Sequence, residues 1–170
     1  MAEDTIKIDV PAEVRWMDRE KDEAAVLGIE HESSSLPWKR DDFADVLHHI
    51  QVVSAVATMG GRTVGYVIFE VQNDRIYIVK LSVLPDYRRR QVATRLLQFV
   101  QDNRVGRKIL EFDVRESSTD AHIFLSKAGF NATGVRRGFF KEYGEDDYTP
   151  CHVEDSYNFV QKFENQAIAA

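Results

Sequence analysis

Residues 80–97 read KLSVLPDYRRRQVATRLL, and the interpretation of the whole chain depends on this stretch. It begins as an apolar strand, breaks at Pro85, turns through three consecutive arginines and continues as an amphipathic helix. Exposed backbone N–H groups, the positive end of a helix dipole and guanidinium charges all favour an anion at such a junction. The stretch therefore predicts a site for a phosphate-bearing ligand.

Length, composition and charge set broad limits on the protein. The chain has 170 residues, of which 44% are hydrophobic and 29% are charged, and its net charge is −6. We expect one globular domain at residues 14–163, with flexible ends at 1–13 and 164–170. The acidic net charge argues against a nucleic-acid partner, since nucleic-acid-binding proteins usually carry a basic face. The single cysteine allows no internal disulfide, which is typical of a cytoplasmic protein. No apolar run approaches the roughly 18 residues of a membrane span, so we expect no membrane partner. The sequence does not indicate an oligomeric state.

Hydrophobic periodicity and turn residues predict the order β-α-α-β-β-β-α-β-α-β-β. Strands are predicted at 14–17, 51–58, 63–71, 75–84, 108–114, 130–137 and 157–163, and helices at 19–31, 39–50, from the arginine turn to about 103, and 120–127. The inward stripe of the second helix is predicted to be Phe43, Val46, Leu47 and Ile50. Short turns at Gly60-Gly61 and Asn73-Asp74 require an antiparallel meander, whereas the strand–helix–strand unit that follows predicts a parallel crossover. The predicted fold is α/β (α+β), with a mixed, mostly antiparallel sheet, one parallel junction and about four flanking helices.

The predicted order and the central motif together resemble the GNAT superfamily of acetyl-CoA-dependent N-acetyltransferases. In that family the strand–turn–helix carries Gln or Arg, two variable residues, Gly, one residue, and then Gly or Ala. The matching segment here, 88–93, reads RRRQVA, with Gln91 at the usual glycine. Segment 124–130, FLSKAGF, is similar to the family's L-Y-x-x-x-G-F. Leu36-Pro37-Trp38 with Phe43, the segment 136–140 (RRGFF) and Glu154-Asp155 look most like the ribosomal-protein-alanine and related protein N-terminal acetyltransferases.

The resemblance implies acetyl-CoA as cosubstrate and assigns residues to it. In such a fold the pantetheine arm bonds the backbone of Leu81, Ser82 and Val83 like an added strand. The pyrophosphate is expected on the turn and the helix start, and Ser118 stands where the family has an asparagine that contacts CoA. The residues expected at the pyrophosphate are Arg88, Arg89, Arg90, Gln91, Val92, Ala93 and Thr94. Two alternatives remain open for the arginines: a solvated surface, or a polyphosphate or nucleotide site without thioester chemistry.

The resemblance also implies the catalytic groups. Asp113 matches the glutamate that acts as the base in related N-terminal acetyltransferases, although a plain charge at the strand edge is the alternative. An N-terminal amine with a pKa of about 8 needs only a weak base, whereas a lysine at about 10.4 needs a stronger one. Leu125 stands where the family has the tyrosine that protonates the CoA thiolate, which leucine cannot do. Tyr143, Tyr148 or Tyr157, or unaided departure of the thiol, are the alternatives. No metal site is expected, because the five histidines lack ligand spacing.

The acceptor amine is expected between two apolar segments. One contains Pro37 and Trp38, and the other contains Arg137, Phe139 and Phe140. The favoured acceptor is the α-amine of a protein or peptide N-terminus. The alternatives are a small amine, such as a polyamine or an amino sugar, and a non-catalytic acyl-CoA-binding module.

Overall fold

The structure is a computed structural model that describes residues 10–143 and 149–164. Within these residues, seven strands and four α-helices form one mixed α/β domain. In chain order they are β1 (Glu13–Trp16), α1 (Arg19–Ser33), α2 (Arg40–Leu47), β2 (Val52–Met59), β3 (Arg62–Val71), β4 (Arg75–Val83), α3 (Val92–Asp102), β5 (Ile109–Arg115), α4 (Thr119–Lys127), β6 (Asn131–Tyr143) and β7 (Pro150–Lys162). None of the helices in this part of the chain combines the length and apolarity needed to cross a membrane.

The strands form one sheet in the order β1-β2-β3-β4-β5-β7-β6. Every neighbouring pair is antiparallel except β4 and β5, which are parallel. The hairpin between β2 and β3 turns at Gly60 and Gly61, both with positive φ, a conformation that glycine adopts without a steric penalty. The predicted mixed sheet with one parallel junction is therefore confirmed.

Helices cover the two faces of the sheet unequally. Tyr66 of β3 reaches Glu30 of α1, whereas its neighbour Gly65 faces Val92 at the start of α3, so α1 and α3 lie on opposite faces. Gln161 of β7 bonds both Gln101 of α3 and the carbonyl of Ala128 after α4, which puts these two helices on the same face. The α1 face of β5 and β7 carries buried polar side chains instead of an apolar stripe: Glu111, Asp113, Ser156 and Asn158.

Two sequence predictions differ from the structure. Helix α2 ends at Leu47 rather than at residue 50, because turns at 48–52 replace its last bonds, and Ile50 is 98% exposed instead of inward. Strands β6 and β7 extend well beyond the predicted 130–137 and 157–163. Residues 144–148, between the two last predicted strands, residues 1–9 of the predicted flexible N-terminus and residues 165–170 of the predicted tail lie outside the described residues.

Candidate active site

A cleft opens in the sheet because β4 and β5 pair only over their first halves. Their parallel register runs from Arg75 opposite Ile109 to Ile78 opposite Phe112, and then stops. Between Ile78 and Lys80, Val79 has no partner on β3, which is a β-bulge. A bulge bends its strand and increases the local twist, so β4 diverges from β5 at this point. Residues 79–83 consequently present an edge to the cleft that no described strand pairs with.

The predicted pantetheine segment lies on this open edge. Leu81, Ser82 and Val83 are the last three residues of β4, and all three pair with β3 on their other side. An extended chain placed in the cleft could therefore bond their outward backbone groups as an additional strand. This arrangement depends on the backbone and not on the identity of the three side chains.

The predicted phosphate turn has a special backbone. Arg89 has φ +59° and Gln91 has φ +60°, both in the left-handed region that favours glycine. This conformation explains why glycine is usual at the position of Gln91, and it costs a non-glycine residue about 1–2 kcal/mol. The exposed Gln91 side chain makes no capping hydrogen bond to α3.

The first turn of α3 directs its backbone donors outward. The first backbone bond runs from Arg95 N to Gln91 O at 2.9 Å. The N–H groups of Val92, Ala93 and Thr94 precede this bond, have no acceptor within the helix, and point out of its N-terminal end. With the left-handed residues before them, these amides form the type of concave donor array that binds phosphates.

The three arginines are not equivalent. Arg88 donates through Nε to Val83 O at 3.3 Å and through Nη2 to Ser33 O, at the end of α1, at 3.4 Å. Arg90 lies 5.5 Å from the centre of the Tyr87 ring. All three are exposed, but the Arg88 side chain also joins the turn to α1. Ser118, at the N-cap of α4, follows β5 on the opposite side of the cleft.

Asp113 lies at the closed end of the cleft, immediately after the last residue of β5 that pairs with β4. It is 5% exposed, and both carboxylate oxygens are engaged. Tyr77 Oη donates to Oδ2 at 3.0 Å, where Arg136 Nη1 also lies at 3.2 Å, and Ser156 Oγ donates to Oδ1 at 2.9 Å. Tyr77 and Arg136 were not among the predicted site residues, although the parallel pairing of Tyr77 with Glu111 places it on the face that carries Asp113. Burial and the neighbouring Asp113 carboxylate raise the pKa of Tyr77 well above its usual range.

Glu111 extends this network below the cleft. It accepts from Arg75 and from Arg136, each at 2.8 Å, and from Asn158 at 2.9 Å. Burial alone would raise the pKa of Glu111, but the bonds from Arg75 and Asn158 outweigh it, and the pKa is lowered. The ionised carboxylate joins β4, β5, β6 and β7, so the network fixes the floor of the cleft.

The first predicted acceptor segment, Pro37 and Trp38, lies in the connection between α1 and α2. Trp38 is half-buried, its N–H donates to Glu30 Oε1 at 3.0 Å, and its ring packs edge-on against Phe43 at 5.2 Å. Pro37 is exposed. The Lys80 ammonium makes a cation–π contact with the Trp38 ring, 4.3 Å from the ring centre.

The second predicted acceptor segment is a wide bulge in β6. Arg136 pairs with Ser156 and Phe140 with Glu154, so Arg137, Gly138 and Phe139 face only Asp155. The Asp155 carboxylate accepts from Gly138 N at 2.8 Å and from Arg137 Nη1 at 2.5 Å, and Gly138 supplies the positive φ. This loop leaves Phe139 41% exposed beside Phe140.

Arg115, at the end of β5, lies between the two segments. Its guanidinium is 4.4 Å from the Phe140 ring centre and pairs with Glu142 and Glu154. Burial acts to raise the pKa of Glu154, but bonds from Ser117, His152 and Arg115 lower it to about 2. The predicted acceptor side of the cleft thus contains carboxylates that already have cationic partners.

The thiolate acid expected in this family has no counterpart at Leu125. That side chain is 1% exposed in the apolar face of α4. Tyr157 packs against His122 at 5.1 Å on the α4 face, Tyr143 is exposed at the end of β6, and Tyr148 lies outside the described residues.

An open strand edge in a divergent parallel pair, followed by a turn and a helix with free backbone donors, is typical of the GNAT class of acyltransferases. The chain matches the Acetyltransferase (GNAT) family over residues 14–130. The protein therefore belongs to the GNAT family and is an N-acetyltransferase.

Several relatives share this architecture. The ribosomal protein bS18-alanine N-acetyltransferase of Escherichia coli strain K12 is 26% identical over 118 residues, which is 68% of this chain and 79% of that protein. The crystal structure of the ribosomal-protein-S18-alanine N-acetyltransferase from Escherichia coli superimposes with a TM-score of 0.76 at 21% identity, covering 94% of this chain and 99% of that one. Naa50 of Arabidopsis thaliana, in complex with the bisubstrate analogue CoA-Ac-MVNAL, gives a TM-score of 0.70 at 19% identity, with 91% and 100% covered.

Proposed function

We propose that the protein transfers the acetyl group of acetyl-CoA to the N-terminal α-amine of a peptide or protein. The observation that carries the proposal is the open edge of β4 at residues 79–83, with the arginine turn at one end and two acceptor segments beside it. We further propose a cytoplasmic location, in line with the single cysteine.

The donor is proposed to bind along β4 and around the start of α3. Pantetheine would add to Leu81, Ser82 and Val83, and the pyrophosphate would accept from the amides of Val92, Ala93 and Thr94. The guanidinium groups of Arg89 and Arg90 are the freer charges for the phosphates, because Arg88 is bonded to two backbone carbonyls.

The acceptor is proposed to enter from the α1 side, between Trp38 and the Phe139 loop. Its neutral amine attacks the thioester carbonyl, and Asp113 receives the amine proton through water at the closed end of the cleft. An N-terminal amine suits this site better than a polyamine. A polyamine is attracted by unpaired carboxylates, whereas Glu154 and Asp155 are each bonded to an arginine.

The buried Leu125 supports a second candidate function, a non-catalytic acyl-CoA-binding module. Release of CoA thiol separates the two candidates, measured with acetyl-CoA and a panel of peptides that differ at the first residue. An Nα-blocked lysine peptide, a polyamine and an amino sugar complete the panel. Turnover confined to free α-amines supports the proposal. Tight CoA binding without turnover on any acceptor supports the module.

Asp113→Asn tests the proposed base. We expect kcat to fall by about 100-fold or more, the usual size of general-base catalysis, with CoA affinity unchanged. Asp45→Asn, at an exposed position of α2, is the matched control. A pH–rate profile that is identical in Asp113→Asn and in the unsubstituted protein would remove Asp113 as the base.

A further inference from the structure

Lys80 belongs to both halves of the cleft. It lies on the open segment of β4, one residue after the Val79 bulge and one residue before the proposed pantetheine segment. Its ammonium also contacts the ring of Trp38, on the proposed acceptor side, at 4.3 Å. The reacting thioester is proposed to lie between these two elements, and Lys80 belongs to the first and contacts the second.

The Lys80 ammonium is held by a buried carboxylate. Glu30 of α1 is fully buried and accepts from Lys80 Nζ at 2.5 Å, from Tyr66 Oη at 2.5 Å and from Trp38 N at 3.0 Å. These four groups come from α1, the α1–α2 connection, β3 and β4. Because three groups fix the Glu30 carboxylate, the Lys80 ammonium that it binds is also held at a defined position.

The anchoring leaves hydrogen-bonding capacity unused. An ammonium has three N–H donors. In the described part of the chain, Glu30 accepts one of them and the Trp38 ring takes the ammonium on its face, while the Lys80 side chain remains 18% exposed. A donor is therefore left for a ligand in the cleft.

The titratable and charged groups around Lys80 come from four elements. Glu30 of α1 and Asp42 of α2 favour the ammonium form, whereas Arg115 of β5, across the cleft, opposes it. Tyr66 of β3 is neutral, because burial raises its pKa far above the usual range. Burial lowers the pKa of Lys80, and the bond to Glu30 counteracts this effect.

We propose that the Lys80 ammonium donates a hydrogen bond to the sulfur of CoA as it leaves, in place of the acid that Leu125 cannot supply. The inference rests on the proposed function. The acceptor nitrogen forms a bond to the acetyl carbon and loses one proton through water to Asp113, which later releases it to solvent. The carbon–sulfur bond breaks with its electron pair on sulfur, and the thiolate next to Lys80 then takes one proton from water. Lys80 keeps its own proton and stabilises the negative sulfur.

The test is a titration of the CoA thiol in the binary complex, followed by the ultraviolet absorbance of the thiolate. A neighbouring cation lowers the pKa of an acid by about 1–3 units, so the bound thiol should ionise at least about tenfold more readily than the thiol of free CoA, titrated under the same conditions. Lys80→Met alone would leave Glu30 buried without its cation. The informative variant is therefore Glu30→Gln with Lys80→Met, because the glutamine oxygen can accept from Trp38 N while its NH2 group donates to Tyr66 Oη, which can also act as an acceptor.

In this double variant we expect the thiol pKa to return to the value of free CoA, with CoA affinity within about threefold and kcat at least about tenfold lower. Lys80→Arg, which keeps the charge, should retain part of the shift. The matched control is Asp18→Asn with Lys21→Met, which removes an exposed ion pair of 3.0 Å on α1. An equal thiol pKa in the unsubstituted protein and the double variant would overturn the role of Lys80. Normal CoA titration without acetyl transfer to any acceptor would instead count against the proposed function alone, and absence of CoA binding would overturn both.

Discussion

Gly65 of β3 lies where helix α3 packs closely on the sheet. A Cβ at this position would stand 3.0 Å from Val92 Cγ1, 3.1 Å from Ser82 O and 3.2 Å from Leu96 Cδ1. The Ser82 oxygen belongs to the backbone of β4 and cannot rotate away. Because Val92 and Leu96 belong to α3, the added Cβ would push this helix outward by a few tenths of an ångström. Overpacking of this kind costs about 1–3 kcal/mol. We expect Gly65→Ala to lower the free energy of unfolding by that amount.

The same substitution should also weaken CoA binding. Val92 is the first residue of α3, and its N–H is one of the proposed pyrophosphate donors, so a displaced helix misplaces them. We expect a loss of about five- to tenfold in affinity, which corresponds to roughly one hydrogen bond of about 1 kcal/mol. Urea denaturation measures the stability and calorimetric titration with CoA measures the affinity.

The chain offers a matched control in Gly28, within α1. A Cβ there meets no atom within 4 Å, and alanine in a helix interior is more stable than glycine by about 0.5–1 kcal/mol. The same chemical change should therefore have opposite effects on stability at the two positions. A Gly65→Ala protein with the stability and CoA affinity of the unsubstituted one would refute the proposed close packing of α3 and the dependence of the donor site on it.

Three further predictions concern the turn and the charged network. Arg89→Ala combined with Arg90→Ala should weaken CoA binding by at least about tenfold and reduce the salt dependence of the affinity, because two charges near the phosphates are lost. Calorimetric titration at two ionic strengths measures both effects, and an unchanged affinity would contradict a role of these arginines in phosphate binding. Gln91→Gly should relieve about 1 kcal/mol of left-handed strain, offset in part by the greater entropy of glycine in the unfolded chain. Urea denaturation should therefore show unchanged or slightly higher stability, and a clear loss of stability would contradict the strain argument. Because the pKa of Glu154 in the folded state is lowered to about 2, the stability it contributes is present at neutral pH and should be lost as pH falls from about 4.5 towards 2. Denaturation at pH 7 and pH 3 should show a smaller loss in Glu154→Gln than in the unsubstituted protein, and an equal loss would contradict this.

Much of the fold could be predicted because the local signals agree with one another. The Gly60-Gly61 turn, the apolar face of α3 and the strand–helix–strand unit all indicate the same mixed sheet. The predicted end of α2 was wrong because Ile50 continues the apolar stripe of the sequence, although the backbone has already left the helix at Leu47. The full length of β6 and β7 was missed because β6 is mostly exposed and the first part of β7, residues 150–156, consists largely of polar residues.

The donor side of the site was easier to predict than the acceptor side. A phosphate turn is contiguous in sequence, and its left-handed Gln91 coincides with the usual glycine. The links of Tyr77 to Asp113 and of Glu30 to Lys80 connect residues that are 36 and 50 positions apart in the chain. Neither pair has a spacing signal, because both depend on how strands and helices meet in three dimensions.

The early end of the β4–β5 ladder also bears on the mechanical properties of the protein. The sheet is in effect two half-sheets, β1–β4 and β5–β7, whose backbones are joined at a seam of four residue pairs. A donor bound along the open edge would lengthen this seam, and at a hundredfold excess over its dissociation constant it would add about 2.7 kcal/mol to the stability of the folded state. Amide hydrogens on both sides of the seam would then exchange more slowly with solvent. Acetyl-CoA would be a temporary strand of the sheet, and each catalytic cycle would remove and restore part of what holds the two halves together.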